Sequence, residues 1–443
     1  MGNRNSTETQ HPPPEIEKNE SISIAAIEKQ KEWMIDVRGN LEPHSVLCCI
    51  YRVPGPLRNV KREAYTPKVM SIGPLHYGDG CYGMGKHKIR YKREFGNRIT
   101  PEKWQQLVNF IQENEKRIRD SYEEIYAPNK LWFISMILYD AVFIIELFLK
   151  YYKKKRDFLL DRLCLRETIS SDLRLLENQL PFFVLDGLYK LALPNLGPEN
   201  EYPPFISLSC VFFRHCKRGD EIDVKAEGIL HFTDLSRYFM TRRYPEKYPE
   251  QEEPFKDLPC AAKLQASGVK FNRIKGECLL DIRFEKKKWL GIPSLKVAEL
   301  QIPQIDVDDY TESLMRNVMA LEQCRYPRKA FVCNYVDLMD KLIDTDEDVN
   351  LLAEAGIIFN YLGEATRTAD MFNGLCLEIQ LLESSYTGII KDLIDHYDNR
   401  WNNAKATLKR VYFSNLWTGT ATVAAVVLLV LTLIQTICSI MSV

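Results

Sequence analysis

Residues Leu131–Leu149 read LWFISMILYDAVFIIELFL, and how this run is taken decides the fold of the whole chain. It is long and apolar enough to cross a bilayer, and Lys153-Lys154-Lys155-Arg156 follows it as a stop-transfer signal would. Against a span stand Asp140 at its middle and Glu146 near its end. An acidic side chain at a bilayer centre costs about 2.5–3.5 kcal/mol on insertion scales. The run is therefore expected to be a buried core helix, with a second membrane span as the alternative. The two acids are about 120° from sharing a helix face, so they do not form a natural catalytic pair. Each is expected to be satisfied separately, by an arginine or by backbone donors.

The chain ends on a second apolar run, Leu416–Ile440, LWTGTATVAAVVLLVLTLIQTICSI, and no charged residue occurs between Val411 and Val443. At about 1.5 Å per residue this helix reaches roughly 37 Å, enough for a hydrocarbon core of about 30 Å. Its threonines and Gln435 do not spoil it, because hydroxyls bond back to their own helix. Residues 416–440 are thus expected to anchor the chain in a lipid bilayer, within an anchor segment 411–443. Lys405, Lys409 and Arg410 precede the run and nothing charged follows it, which predicts a cytosolic globular domain on the plasma membrane or an endomembrane. The span would leave the ribosome last, so insertion after synthesis is expected.

The 443 residues suffice for one large or two ordinary domains plus the anchor, and 45% hydrophobic with 27% charged residues is ordinary globular composition. Lys+Arg 59 against Asp+Glu 60 argues against a nucleic-acid surface. The twelve cysteines lack CxxC spacing and no secretory h-region opens the chain, so free thiols in reducing cytosol are expected. His215 and Cys216 have no further partners at zinc-ligand spacing. Residues 1–38 are polar and read as a disordered tail. Met1–Ser6 fits a permissive N-myristoylation pattern at Gly2, and sequons at Asn5 and Asn19 matter only if the tail is lumenal.

A glycine-dense loop invites a phosphate reading. Gly78-Asp79-Gly80-Cys81-Tyr82-Gly83 matches G-x-G-x-x-G, and Gly80–Lys86 matches the first positions of a P-loop. However, His87 stands where a magnesium-binding Ser or Thr is needed, and Pro74 breaks any strand leading in. The loop is expected to be flexible, leading into a basic helix with Lys86, Lys88, Arg90, Lys92 and Arg93. A nucleotide switch or enzyme built on residues 78–86 is the alternative functional reading.

Further along, Trp104–Tyr126 has helical periodicity. In Ser170–Leu185, one of Ser170, Ser171 or Asp172 is expected to cap a short helix, and Pro181 suits the first turn of the next. Glu177-Asn178-Gln179 between them should bond loop backbone and helix ends. A catalytic Glu177 would need a partner acid, base or metal ligand that the sequence does not identify.

Taken together, Ile50-Tyr51-Arg52-Val53-Pro54, Ser71-Ile72-Gly73-Pro74-Leu75-His76, Asp120-Ser121-Tyr122-Glu123-Glu124 and Leu176-Glu177-Asn178-Gln179-Leu180-Pro181 resemble the plant domain of unknown function 247 family, the UPF0481-like membrane proteins. Gly268-Val269-Lys270-Phe271, Leu279-Leu280-Asp281-Ile282, Thr311-Glu312-Ser313-Leu314 and Thr432-Leu433-Ile434-Gln435-Thr436 extend the match in order from about residue 45 to the end. The resemblance implies a land-plant protein with a mostly helical domain, one C-terminal span and no established enzymatic activity. Some members in grasses are associated with self-incompatibility recognition. Gly83-Met84-Gly85 departs from the family, which usually carries an acidic residue before His-Lys, so the glycine motifs look incidental.

The remainder is expected as one helical domain over 39–410. Residues 194–259 read as a loop-rich insertion with a helical piece near Val211–His215, and Ala261–Ala266 as a helix closed by Gly268. Val269–Phe271, Leu279–Phe284 and Trp289–Ile292 read as a small antiparallel sheet turning at Glu285–Lys288. Amphipathic helices are expected over Thr311–Gln323 and Phe331–Ile343, then a capping box at Thr345–Asp348 with Gly356 closing its helix. The acids at 344 and 346–348 lack calcium-loop spacing. Ile390, Leu393, Tyr397, Trp401, Ala404, Leu408 and Val411 make one apolar helical stripe, packing on the domain or, alternatively, pairing two copies. The fold class is thus mainly α, with a small antiparallel β element and one C-terminal transmembrane helix. The expected function is non-enzymatic recognition or signalling through an unknown protein partner. No catalytic, cofactor or metal residue is assigned.

Overall fold

The computed structural model describes residues 47–78, 84–125, 129–196, 202–220, 224–242, 244, 257–274, 278–289, 292–399, 404 and 416–441. Cys49–Val443 form one compact unit, and Met1–Cys48 a second in which only Leu47 and Cys48 are described. The expected tail, Gly2 and both sequons lie outside the described residues. Seventeen helices and five strands are found among the described residues.

The first half is helical. Its elements are α1 (Gly55–Val60), α2 (Gly85–Gly96), α3 (Pro101–Glu113), α4 (Glu115–Asp120), α5 (Lys130–Tyr152), α6 (Phe158–Asp161), α7 (Leu163–Asp172), α8 (Phe182–Leu196), α9 (Phe205–Phe212) and α10 (Phe232–Thr241). The decisive run is α5, begun by an Asn129 side chain that accepts from the Trp132 N–H at 2.8 Å. Helices α2, α3, α8 and α9 pack around it. Of its most apolar window 78% is buried inside the fold, so α5 is a core helix. Phe148 alone meets the rings of Phe205, Phe212, Phe213 and Phe232, at 5.8, 4.4, 5.7 and 5.5 Å. All four of those partners come from the stretch 194–259, read as a loop-rich insertion. Its described part carries α9, which lies earlier than the helical piece expected near Val211–His215, and the unexpected α10, and phenylalanines of this stretch complete the first core. The helix expected over Trp104–Tyr126 is two helices, α3 and α4, broken at Asn114. Ser170–Asp172 end α7 and cap no following helix.

The second half surrounds a small mixed sheet. It comprises α11 (Ala261–Ala266), β1 (Val269–Ile274), β2 (Arg283–Trp289), β3 (Ile292–Pro303), β4 (Ile305–Val307), α12 (Thr311–Arg325), α13 (Phe331–Leu342), α14 (Asp346–Glu354), β5 (Ile358–Asn360), α15 (Ala365–Leu375) and α16 (Thr387–Asp398). The strand order is β1-β3-β2, with β2 antiparallel to β3 as expected but β1 parallel to it, Val269 opposite Ala298. Glu285–Lys288, expected as a turn, are inside β2. The charge that suggested a turn belongs to an edge strand, where lysines discourage pairing with another chain. A second, parallel pair joins β4 to β5. Helices α12, α13 and α14 follow the sequence reading closely, and the Thr345/Asp348 capping box is formed.

Between the two cores runs a third apolar cluster, in which Val53, Leu57 and Tyr65 meet Leu176, Ala320 and Leu321. Arg237 of α10 donates to Glu322 of α12 at 2.8 Å, and the Cys333 N–H donates to its other oxygen at 2.9 Å. Glu322 is wholly buried, so this pairing satisfies a charge that would otherwise be costly. Ile390 and Leu393 of the C-terminal stripe lie in the second core. Helix α16 ends at Asp398, and Trp401, Leu408 and Val411 are outside the described residues. The last helix, α17 (Leu416–Met441), is long and apolar enough to span a membrane, and none of its Ala424–Met441 window is buried against the protein.

Candidate functional site

The Glu177-Asn178-Gln179 tripeptide folds into a fully buried polar hub. Glu177 accepts from the Val53 N–H at 2.5 Å and from Arg58, and its second oxygen stands 3.2 Å from His76 Nε2. Asn178 accepts from Ile72 N–H at 2.6 Å and donates to the Met70 and Asp172 carbonyls at 2.8 and 2.9 Å. Gln179 donates to the Leu173 and Leu175 carbonyls and accepts from Phe232 N–H at 2.9 Å. Asp172 receives three consecutive N–H groups, from Lys68, Val69 and Met70. The chain from Val53 to His76, which carries α1 and turns but pairs with no strand among the described residues, is thus held by side chains from the 172–179 bend. Burial alone would raise the Glu177 pKa, but the bonds from His76, Arg58 and Val53 outweigh it and hold the carboxyl below its ordinary value. Every oxygen is turned toward structure, so the hub is a clamp.

The clamp places the Gly73–Gly78 turn across α2 and α5. Gly73 has φ +73°, and a Cβ there would lie 2.5 Å from the Gln179 carbonyl, so only glycine fits. Its N–H donates to Asp140 at 2.9 Å. Lys88 donates to the other Asp140 oxygen at 2.5 Å and to the Ser71 carbonyl at 2.6 Å. Glu146 pairs with Arg98. Both acids of α5 are therefore satisfied separately, as their spacing implied.

Above the Lys88–Asp140 pair opens a groove of about 520 Å³ between the turn, α2 and the first half of α5. That volume falls within the common range for ligand sites, about 300–1,000 Å³. Met70, Met84, Met136 and Trp132 give it an apolar lining. Tyr77 meets Trp132 edge to face at 4.6 Å, and Lys92 covers the Tyr139 ring at 3.8 Å. Tyr77 and Ile89 at its mouth are 58% and 59% exposed, unusual for large apolar side chains bordering a core. Methionines suit such a surface because the flexible thioether adapts to different shapes.

Asp79–Gly83 of the glycine-rich loop lie outside the described residues. Gly78 (φ +93°) ends the turn, Gly85 and Lys86 open α2, and His87 stacks on Phe158 at 5.2 Å. The chain enters the loop from a turn, where a P-loop is entered from a strand. Lys88, the lysine facing the groove floor, is neutralised by Asp140. An apolar lining over an already paired lysine suits an apolar guest better than a polyphosphate. His215 is stacked on Phe239 at 4.1 Å, and burial, aided by Arg174 and Arg242, pulls its pKa to about 3. Asp348 of the acidic cluster is spent on the N–H groups of Ala262, Asp344 and Thr345. The groove residues Tyr77, Trp132 and Tyr139 escaped sequence reading, because only the clamp brings the turn beside α5. A Trp at the open end of an apolar helix was their one local signal.

A family model described as DUF247, plant protein of unknown function, matches residues 50–431. A UPF0481 protein of Arabidopsis thaliana is 28% identical over 425 residues, covering 89% of this chain and 87% of its own. A putative UPF0481 protein of the same plant is 23% identical over 508 residues, covering 92% and 94%. No solved structure matches.

Proposed function

This chain belongs to the DUF247 family of plant proteins of unknown function, and from that premise we propose a membrane-tethered, non-enzymatic recognition module. Its groove beside Tyr77 and Trp132 takes a segment of a partner protein. The observation that carries the reading is the groove itself: methionine and aromatic walls, exposed at the mouth, over a floor where, among the described residues, Lys88 and Asp140 are paired with each other. Lys92 on the rim favours a segment in which an apolar or aromatic side chain is followed by an acidic residue. Helix α17 supplies the tether, and Lys405, Lys409 and Arg410 before it favour a cytosolic domain.

Photo-crosslinking from position 89 in membranes of plant cells expressing the full chain tests this. A discrete protein adduct is expected from the parent chain. It should disappear when Tyr77→Ala and Trp132→Ala open the groove while circular dichroism is retained. An adduct that persists in that variant, or none in the parent, refutes the groove as the recognition site.

A further inference from the structure

A second cavity, of about 240 Å³, lies where the two cores meet, and its chemistry differs from that of the groove. Helix α7 and the bend after it supply Arg166, Glu167, Ser170 and Arg174, the end of α9 supplies Arg214, and Tyr310 and Thr311 face them from the start of α12. Three guanidinium groups therefore line a space too small for a drug-sized molecule.

Their local pairing leaves donors over. One oxygen of Glu167 takes Arg166 through both Nε and Nη2, at 3.1 and 2.9 Å, and Arg214 as well. Each guanidinium carries about five N–H donors. Arg174 uses its Nε on the Ser170 carbonyl at 3.1 Å and lies 5.7 Å from the Phe213 ring, and no carboxylate of the described residues forms an ion pair with it. Burial pulls its pKa down to about 10, only partly offset by Asp308 and Glu167 at longer range. Asp306 and Asp308 line the cavity as well; both are solvent-exposed, and each has an oxygen already bonded, to Gln304 and to Thr311 respectively.

The backbone adds an independent sign. Arg214 has φ +61°, in the left-handed region. It sits just past α9, where His215 N–H returns to the Cys210 carbonyl at 2.9 Å and Arg214 N–H to Val211 at 3.2 Å. That is the Schellman pattern, whose left-handed position is usually glycine. An arginine there is conformationally unfavourable, and its side chain reaches into the arginine-lined cavity. Strain of this kind collects where a side chain has work to do.

We propose that this cavity binds a phosphate oxyanion, as inorganic phosphate or as the head of a small phosphomonoester. The anion supplies acceptors for the surplus N–H donors and a counter-charge in direct contact with Arg174, which Asp308 and Glu167 reach only at longer range, in the planar, forked geometry that suits arginine to phosphate.

Calorimetric titration of the purified full-length chain in detergent, with inorganic phosphate and separately with phenyl phosphate, tests it against chloride at equal ionic strength. Saturable phosphate binding is expected, and the tighter of the two ligands identifies the source. Arg174→Met should weaken binding about tenfold or more, the loss of one charge-assisted contact. Arg214→Gly is the sharper variant, because glycine relieves the left-handed residue: its thermal midpoint should hold or rise while phosphate affinity falls. No saturable phosphate binding in the parent, or an unchanged affinity in a folded Arg214→Gly chain, overturns the proposal.

Discussion

His231 is wholly buried, yet it is bonded on both ring nitrogens: Nδ1 accepts from the Asp234 N–H at 3.3 Å and Nε2 stands 3.0 Å from the Cys49 carbonyl. Those partners admit only the neutral ring with its proton on Nε2. Burial pulls its pKa to about 4, with Asp234 and the Cys49 carbonyl opposing. The unfolded chain, with histidine near 6.5, takes up that proton first as pH falls. Stability from His231 is therefore complete above about pH 6.5 and is lost as pH falls toward the folded value, at up to about 1.4 kcal/mol per pH unit. Asp340, pushed up to about 6 by burial and by Asp337, acts in the opposite sense over the same range. The difference between variants isolates the histidine. The destabilisation caused by His231→Gln should shrink by roughly 2 kcal/mol between pH 6.5 and pH 4.5 in urea titrations. A constant difference would mean that the folded ring already carries the extra proton.

At the scale of elements, α5 carries the first core, and its two ends behave differently. Phe148→Ala removes a ring packed against four others and should cost about 3–5 kcal/mol, measured by urea unfolding. Leu131→Ala, on a residue 73% exposed at the other end, should change stability by no more than about 0.5 kcal/mol. Equal effects would contradict the packing. Helix α5 was legible because its apolar run and its two acids are local facts, and the 3.6-residue period of α12 and α13 likewise. Strand β2 was not, since its lysines make sense only once β3 has left it at the sheet edge. Helix α9 was legible only in part: a helical piece was expected near Val211–His215, but the helix runs Phe205–Phe212 and begins directly after prolines that read as loop. The clamp at Glu177–Gln179 was legible as to residues and kind of bonding, but the groove it creates was not. Ring-to-ring contacts such as Tyr77 with Trp132 depend on where a turn is laid across a distant helix.

For the whole molecule, the two helices that could span a bilayer divide cleanly: α5 is packed into the core, while α17 presents the apolar side chains of Ala424–Met441 outward. Because Ala424–Met441 of α17 is not buried against the protein, removing the helix should leave the domain's stability unchanged while abolishing membrane retention. A chain ending at Arg410 is therefore expected in the soluble fraction, with the urea midpoint of the full chain in detergent. The full chain should stay with the membrane through alkaline carbonate washing. A truncated chain that aggregates or unfolds earlier would mean that α17 covers part of the domain. Orientation follows from a second readout on the same membranes. If the positive residues 405–410 hold the domain on the cytosolic side, protease added outside intact microsomes should digest everything but a short fragment around α17. Protection of the domain would place both the groove and the arginine-lined cavity on the lumenal side. There a cytosolic partner could not reach the groove, whereas phosphate binding by the purified protein would be unaffected.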